Sequence, residues 1–152
     1  MKRKPKILYI DDEDHCLRTF KANFRRCFQI FTASSALEGL KILEEVNNTE
    51  DELSRIQVIV SDQRMVNMTG SKLFCETVKT YPNTQRIILT GFSDKEDLEE
   101  AIEKGKILTY HSKPFDETKL RLEILCGVQI YQLKIRLDSI SSALNSIQNE
   151  IG

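Results

Sequence analysis

A chain of 152 residues with 22 Lys and Arg against 23 Asp and Glu carries a formal net charge of −1, too little positive charge for a protein whose main partner is nucleic acid. At 40% hydrophobic and 30% charged residues it reads as neither a disordered chain nor a membrane protein. Its length suits one compact domain with a helix to spare, large enough to fold without a metal or disulfide staple. Cys16, Cys27, Cys75 and Cys126 sit at wide, irregular gaps, offering neither zinc-ligand spacing nor a disulfide framework and fitting a reducing compartment. The apolar run in MKRKPKILYI is too short for a signal peptide, so the expected location is the cytoplasm.

Five short apolar segments recur: ILYI from Ile7, FQIFTA from Phe28, VIV from Val58, IIL from Ile87 and ILTY from Ile107. Their aliphatic and β-branched character predicts strands buried on both faces of a parallel sheet. Helix-period patterns lie between them, at Leu17, Phe20, Phe24 and Cys27, at Ala36, Leu37, Leu40 and Leu43, and at Leu73, Phe74, Thr77 and Val78. A fourth follows at Leu98, Ala101 and Ile102. Strand and helix alternating five times predicts a doubly wound α/β fold. Tyr81-Pro82-Asn83 should stop the third helix, Gly105 should end the fourth, and Asp116 or Thr118 should cap the fifth. The polar NNTEDELSRIQ stretch after the second helix either extends it or forms a surface insertion.

The last segment differs. Ile130, Leu133, Leu137, Ile140, Leu144, Ile147 and Ile151 step by 3 and 4 in strict alternation, a heptad seam about three repeats long. Either one long amphipathic helix lies on its own domain, or it projects and pairs with another chain. The seam is narrower than the usual core-facing stripe, and Ser139, Ser141, Ser142 and Ser146 lower its helix propensity.

In a doubly wound sheet the working groups lie beyond the carboxyl ends of the strands. The first strand runs into Asp11-Asp12-Glu13-Asp14, the third ends in Ser61-Asp62, the fourth in Thr90-Gly91, and the fifth leads to Lys113-Pro114. Crowded carboxylates invite a hard cation, and Mg2+ takes oxygen ligands while keeping several waters. Asp62, alone at the end of the most buried strand, is the best placed to act as a nucleophile toward phosphorus. Lys113 could hold the incoming anion and Thr90 could donate a hydrogen bond to it. Taken singly, Asp12 reads as a helix cap and Lys113-Pro114 as a turn; the combination and its order carry the reading. His15 and His111 flank these segments but are set aside as ligands, because Mg2+ prefers oxygen.

From about Lys4 to Gly127 the chain resembles the receiver domain of two-component response regulators. The resemblance rests on Asp11-Asp12, VIVSDQRMVNMTG around Asp62, IILTGFSD at Thr90, and YHSKPF with Tyr110 and Lys113. It implies a five-stranded (βα)5 flavodoxin-like receiver fold over residues 1–127; residues 128–152, beyond the resemblance, read from their heptad spacing as an extended C-terminal helix serving as linker or dimerisation coil. Asp62 would be the phosphoacceptor, taking its phosphoryl group from a histidine kinase or phosphotransfer protein. Asp11, Asp12, Asp62 and the backbone carbonyl of Arg64 would hold Mg2+. Lys113 would pair with the phosphoryl oxygens, Thr90 would swing inward onto them, and Tyr110 would turn inward as the aromatic switch. A cis Lys113–Pro114 peptide would aim the lysine. Such a domain is not an enzyme beyond Mg2+-dependent gain and loss of its own phosphoryl group.

The chain departs from the common pattern at Val66, where proline is frequent, and at Gly91, where alanine is common. Arg64 and Phe92 occupy positions that tune the lifetime of the acyl phosphate. A haloacid dehalogenase-like phosphatase would need an Asp-x-Asp nucleophile after the first strand and a cap domain. A flavin binder would need a Gly/Ser/Thr-rich phosphate loop where this chain has carboxylates. A phosphorylation-independent dimer module is the remaining alternative, and the intact Asp62, Thr90 and Lys113 set argues against it. No output domain follows Gly127, so the expected setting is either a stand-alone receiver or a piece of a larger protein, with homodimerisation through the C-terminal helix.

Overall fold

A computed structural model describes residues 3–91 and 95–152. In chain order the elements are β1 (Lys6–Ile10), α1 (Asp14–Phe24), β2 (Gln29–Ala33), α2 (Ala36–Val46), a 3₁₀ turn at Glu52–Ser54, β3 (Ile56–Asp62), α3 (Gly70–Thr80), β4 (Gln85–Thr90), α4 (Lys95–Glu103), β5 (Thr109–Ser112) and α5 (Glu117–Ile151). Among the described residues the strands form one all-parallel five-stranded sheet in the order β2-β1-β3-β4-β5. The chain steps outward from β1 to β2 and then returns to β3 on the other side. This reversal opens a crevice at the carboxyl ends of β1 and β3.

Alternating side chains build two cores, one on each face of the sheet. Ile7, Tyr9, Val60 and Leu89 face Phe20, Phe24, Leu120 and Ile124 of α1 and α5. Leu8, Ile10, Ile59 and Ile88 face Leu43, Leu73, Phe74 and Ala101 of α2, α3 and α4. Ile56 shares the second core with Ile59 although Val58 and Val60 belong to the first. A register shift against Lys6 and Ile7 explains this, since partnering skips from Ile56 to Val58 and one extra residue reverses which face follows.

Three helix starts, those of α2, α3 and α5, follow their capping chemistry. Ser35 accepts from Glu38 N, Thr69 from Lys72 N, and Asp116 from Lys119 N, each satisfying a first-turn donor. The NNTEDELSRIQ stretch does not continue α2; it forms the 3₁₀ turn, where Asp51 meets Arg3 and the Glu52 carbonyl accepts from Tyr131 Oη at 2.7 Å.

Three sequence expectations shift at the edges. Cys27 lies past the end of α1 and is exposed. Leu37 is exposed, and Gly39 instead packs α2 against Ile10. β5 begins at Thr109 rather than Ile107, after Lys106 in the left-handed region at φ 46°. The Lys113–Pro114 peptide is cis, as the resemblance implies.

Candidate functional site: an acidic pocket at the strand ends

Three strand ends converge on one pocket. Asp11 follows β1, where it is fully buried; Asp62 closes β3, where it is partly buried; Asp12 is exposed at the rim. Carboxylate oxygens of these three residues lie within 4.8 Å of one another. Lys113, delivered by the loop after β5, places Nζ 2.8 Å from Asp11 Oδ2 and 3.4 Å from Asp62 Oδ2. Its backbone N–H donates to the Thr90 carbonyl at 2.9 Å, so the lysine and the threonine are fixed to each other through adjacent strands.

Asp11 is locked by three donors. Lys113 Nζ and Tyr9 Oη both reach Oδ2, at 2.8 and 2.7 Å, while Glu13 N donates to Oδ1 at 3.0 Å. Tyr9 stacks on Phe20 with centroids 4.0 Å apart, which holds the phenol in place. The loop after β3 is pinned by Gln63. Its backbone N–H donates to Leu89 O, its carbonyl accepts from Gly70 N, and its Oε1 accepts from Ser71 N and Oγ. Asn67 in that loop takes φ 75°, a conformation Asn tolerates better than most residues.

The electrostatics separate the two buried carboxyls. Burial, reinforced by Asp11 and Asp12, pushes Asp62 up to about 6 against the pull of Lys113. Burial acts upward on Asp11 too, but hydrogen bonds from Lys113, Tyr9 and Glu13 N, with the charge of Lys113, outweigh it and hold Asp11 below the usual carboxylate value. Burial acts downward on Lys113, yet the Asp11 hydrogen bond and both carboxylates raise it above the ordinary lysine value. Burial and the neighbouring Asp11 raise Tyr9, which therefore stays a neutral donor. With all three acids ionised, one ammonium leaves two negative charges uncompensated. An all-oxygen donor set with that deficit fits a hard divalent cation.

The remaining expected residues take these places. Thr90 is buried at the end of β4, its hydroxyl donating to Gly91 O at 3.0 Å. Tyr110 is 51% exposed on β5, beside a cleft lined by Thr90, Leu98, Ile102 and Ser112. Arg64 and Val66 are exposed in the loop after β3, and Phe92 lies outside the described residues. His15 is exposed on α1, whereas His111 is buried and bonded to Glu123 of α5. Sequence reasoning missed Tyr9, Gln63 and Glu123. For Tyr9 a signal existed: on a strand, residues two apart share a face, which puts a hydroxyl-bearing side chain beside Asp11.

Fold and site together define a doubly wound α/β domain with an acidic pocket at its topological switch point. A family model of the response regulator receiver domain matches residues 7–125, and the chain belongs to that family. It is 30% identical over 122 residues to the transcriptional regulatory protein GlrR of Escherichia coli K12, covering 79% of this chain and 26% of that protein. Against the hydrogenase transcriptional regulatory protein HoxA of Bradyrhizobium diazoefficiens it is 27% identical, covering 84% of this chain and 25% of the relative. The chain thus spans about a quarter of the length of these curated relatives. Among solved structures, a response regulator receiver domain protein from Clostridium thermocellum is 32% identical with a TM-score of 0.77, covering 85% of this chain and 98% of the other. The signal receiver domain of an HD domain-containing protein from Pseudomonas fluorescens Pf-5 is 26% identical with a TM-score of 0.79, covering 90% and 95%. Among the described residues no helix is long and apolar enough to cross a membrane.

Proposed function

We propose that this receiver accepts a phosphoryl group on Asp62 from the phosphohistidine of a histidine kinase or phosphotransfer protein in the cytoplasm and passes the change to an output domain or partner. The observation that carries the reading is Lys113 Nζ between Asp11 Oδ2 and Asp62 Oδ2, a fixed cation beside the one carboxylate that burial leaves poorly compensated.

Asp62, ionised at neutral pH, attacks phosphorus with a carboxylate oxygen. The phosphorus–nitrogen bond of the donor breaks as the phosphorus–oxygen bond forms, and the electron pair stays on the imidazole nitrogen. Asp11, Asp12, Asp62 and the Arg64 carbonyl would hold Mg2+, which would supply charge neutralisation at the transferring oxygens when bound. Lys113 releases Asp62 and turns to a phosphoryl oxygen while keeping its contact with Asp11. Tyr9 and Glu13 N hold Asp11 still throughout, so the acid does not follow the lysine. The Thr90 hydroxyl exchanges the Gly91 carbonyl for a phosphoryl oxygen. The space it vacates admits Tyr110 from its exposed position, which biases the α4–β5–α5 face between two arrangements. Return of the phosphoryl group to water is the only turnover.

The test is the intact mass of the protein after incubation with Mg2+ and a small phosphodonor. A gain of one phosphoryl group that needs Mg2+ and is lost in Asp62→Asn supports the proposal. An undiminished gain in Asp62→Asn contradicts it. Mg2+ binding without any gain, even from a phosphorylated kinase, would favour the phosphorylation-independent interaction module.

A further inference from the structure

Helix α5 carries two apolar stripes that face apart. Leu120, Ile124, Val128 and Tyr131 are buried against the sheet. That docked side continues through Gln132, bonded to Gln57, and Asp138, bonded to Asn83. Gly127 lets the helix approach, since a Cβ there would stand 3.0 Å from Val58 Cγ2. At the pitch of an α-helix the heptad seam lies roughly 160° around from this face. Leu133, Leu137, Ile140, Leu144, Ile147 and Ile151 are accordingly 51–81% exposed, and every residue from Arg136 onward is exposed. Ile130 is half-buried and Leu137 edges a cleft beside Val78 and Pro82, but from Ile140 onward the domain that anchors the helix does not cover its seam. A Ser-rich terminal stretch with no packing partner is a marginal helix in water, and a continuous exposed apolar stripe of this length marks an interaction surface.

We propose that the seam is covered by a second copy of this chain, its α5 parallel and in register, with the two receiver bodies on the outer sides of the pair. The seam is self-complementary. With Ile130, Leu137, Leu144 and Ile151 at a positions and Leu133, Ile140 and Ile147 at d positions, identical residues meet across the axis. Flanking charges that would select a different partner are sparse, for Ser141, Ala143 and Gln148 carry none. In the parallel register Lys134 faces Gln129 and Arg136 faces Ser141, so like charges do not meet from Gln129 onward; Glu123, at the a position before the seam, is held by His111. The exposed apolar side also extends upstream of the seam, through Leu122 and Cys126 on the body-borne part of the helix. A parallel partner covers both parts at once, whereas an antiparallel one runs out opposite Leu122. Cys126 stands one heptad before Leu133, at a d position, where paired Cα atoms come within disulfide reach. The pairing does not depend on chemistry at Asp62.

Sedimentation equilibrium of the full chain over a concentration series tests the seam. The expected mass is twice 17.6 kDa; a higher multiple, which Leu at a with Ile at d also admits, overturns the two-chain arrangement. The double substitution Leu137→Asp with Leu144→Asp, both at exposed positions, should give a monomer whose body unfolds as in the parent. A monomeric parent, or association that survives the double substitution, overturns the proposal. Oxidised glutathione tests the register. Two Cys126 thiols give up two electrons and two protons to it, forming one intermolecular disulfide and two reduced glutathiones. Cys126→Ser should abolish this covalent dimer and Cys27→Ser should not. Association without a Cys126 bridge overturns the parallel register.

Discussion

Tyr9 Oη and Lys113 Nζ meet on a single oxygen, Asp11 Oδ2, at 2.7 and 2.8 Å. One donor is neutral and comes from the strand that delivers the acid; the other is charged and arrives from the far side of the sheet. The fixed orientation of Asp11 therefore rests on the core as well as on its ion pair, because Tyr9 is itself stacked against Phe20.

Tyr9→Phe keeps that stacking and removes only the hydroxyl. The expected cost is about 1.5–3 kcal/mol at neutral pH, the value of a hydrogen bond to a charged group. Asp11 has a lowered folded pKa, so its stabilisation is present above the unfolded value of 3.8 and is lost as pH falls through the lower folded one. The difference between parent and variant in urea unfolding should narrow over that acid range. A gap that stays constant with pH would break the link between Tyr9 and Asp11.

Asp62 behaves in the opposite sense. Its folded pKa is raised from 3.8 to about 6, so the folded state binds the proton more tightly, and ionisation removes stability as pH rises across that window. In metal-free buffer Asp62→Asn should be more stable than the parent at pH 7. The gain should be up to about 2 kcal/mol, less than the full shift implies because the variant also loses the Lys113 contact. The gain should vanish below about pH 4, and saturating Mg2+ should reverse it. Denaturant unfolding with a chelator present checks this. A variant less stable than the parent at pH 7 without metal would contradict it.

Gly70 opens α3 directly beneath the site. A Cβ there would stand 2.7 Å from the Asp62 carbonyl and 3.2 Å from Ser61 Oγ, so Gly70→Ala must push the loop after β3 away from its strand. Overpacking of this kind costs about 1–3 kcal/mol. Because the displaced backbone carries Asp62 and Arg64, Mg2+ affinity should fall together with stability. Gly127→Ala, whose new Cβ would meet Val58 Cγ2 at 3.0 Å away from the pocket, should leave Mg2+ affinity unchanged; calorimetric titration of both variants separates local damage at the site from packing changes elsewhere.

The legible parts of this molecule are those governed by local pattern. Unbroken aliphatic runs marked β1, β3 and β4, and carboxylates at strand ends marked the crevice, since both signals follow from burial on two faces and from where a doubly wound chain reverses. β5 starts two residues later because Lys106 turns the backbone through the left-handed region before the strand can pair regularly, although Leu108 N already donates to the Arg86 carbonyl of β4. Leu37 fitted the helical stripe but lost its place to Gly39, where helix and strand come closest. The least legible contacts were long-range polar ones. Glu123 bonds to His111 across the gap between α5 and β5, and Arg86 is buried with the Gly105, Thr84 and Tyr81 carbonyls as acceptors. Such pairs arise from tertiary placement, and nothing in the residues adjacent in sequence announces them.

The central claim is that the phosphoryl group resides on Asp62. Borohydride reduces an acyl phosphate and converts the aspartate that carried it to homoserine. The protein should therefore be incubated with Mg2+ and phosphodonor, reduced, digested and mapped by peptide mass spectrometry. Conversion confined to Asp62, and abolished when Mg2+ is omitted, is the expected result. Conversion at Asp11 or Asp12 instead, or phosphorylated protein in which Asp62 is unmodified, would contradict it.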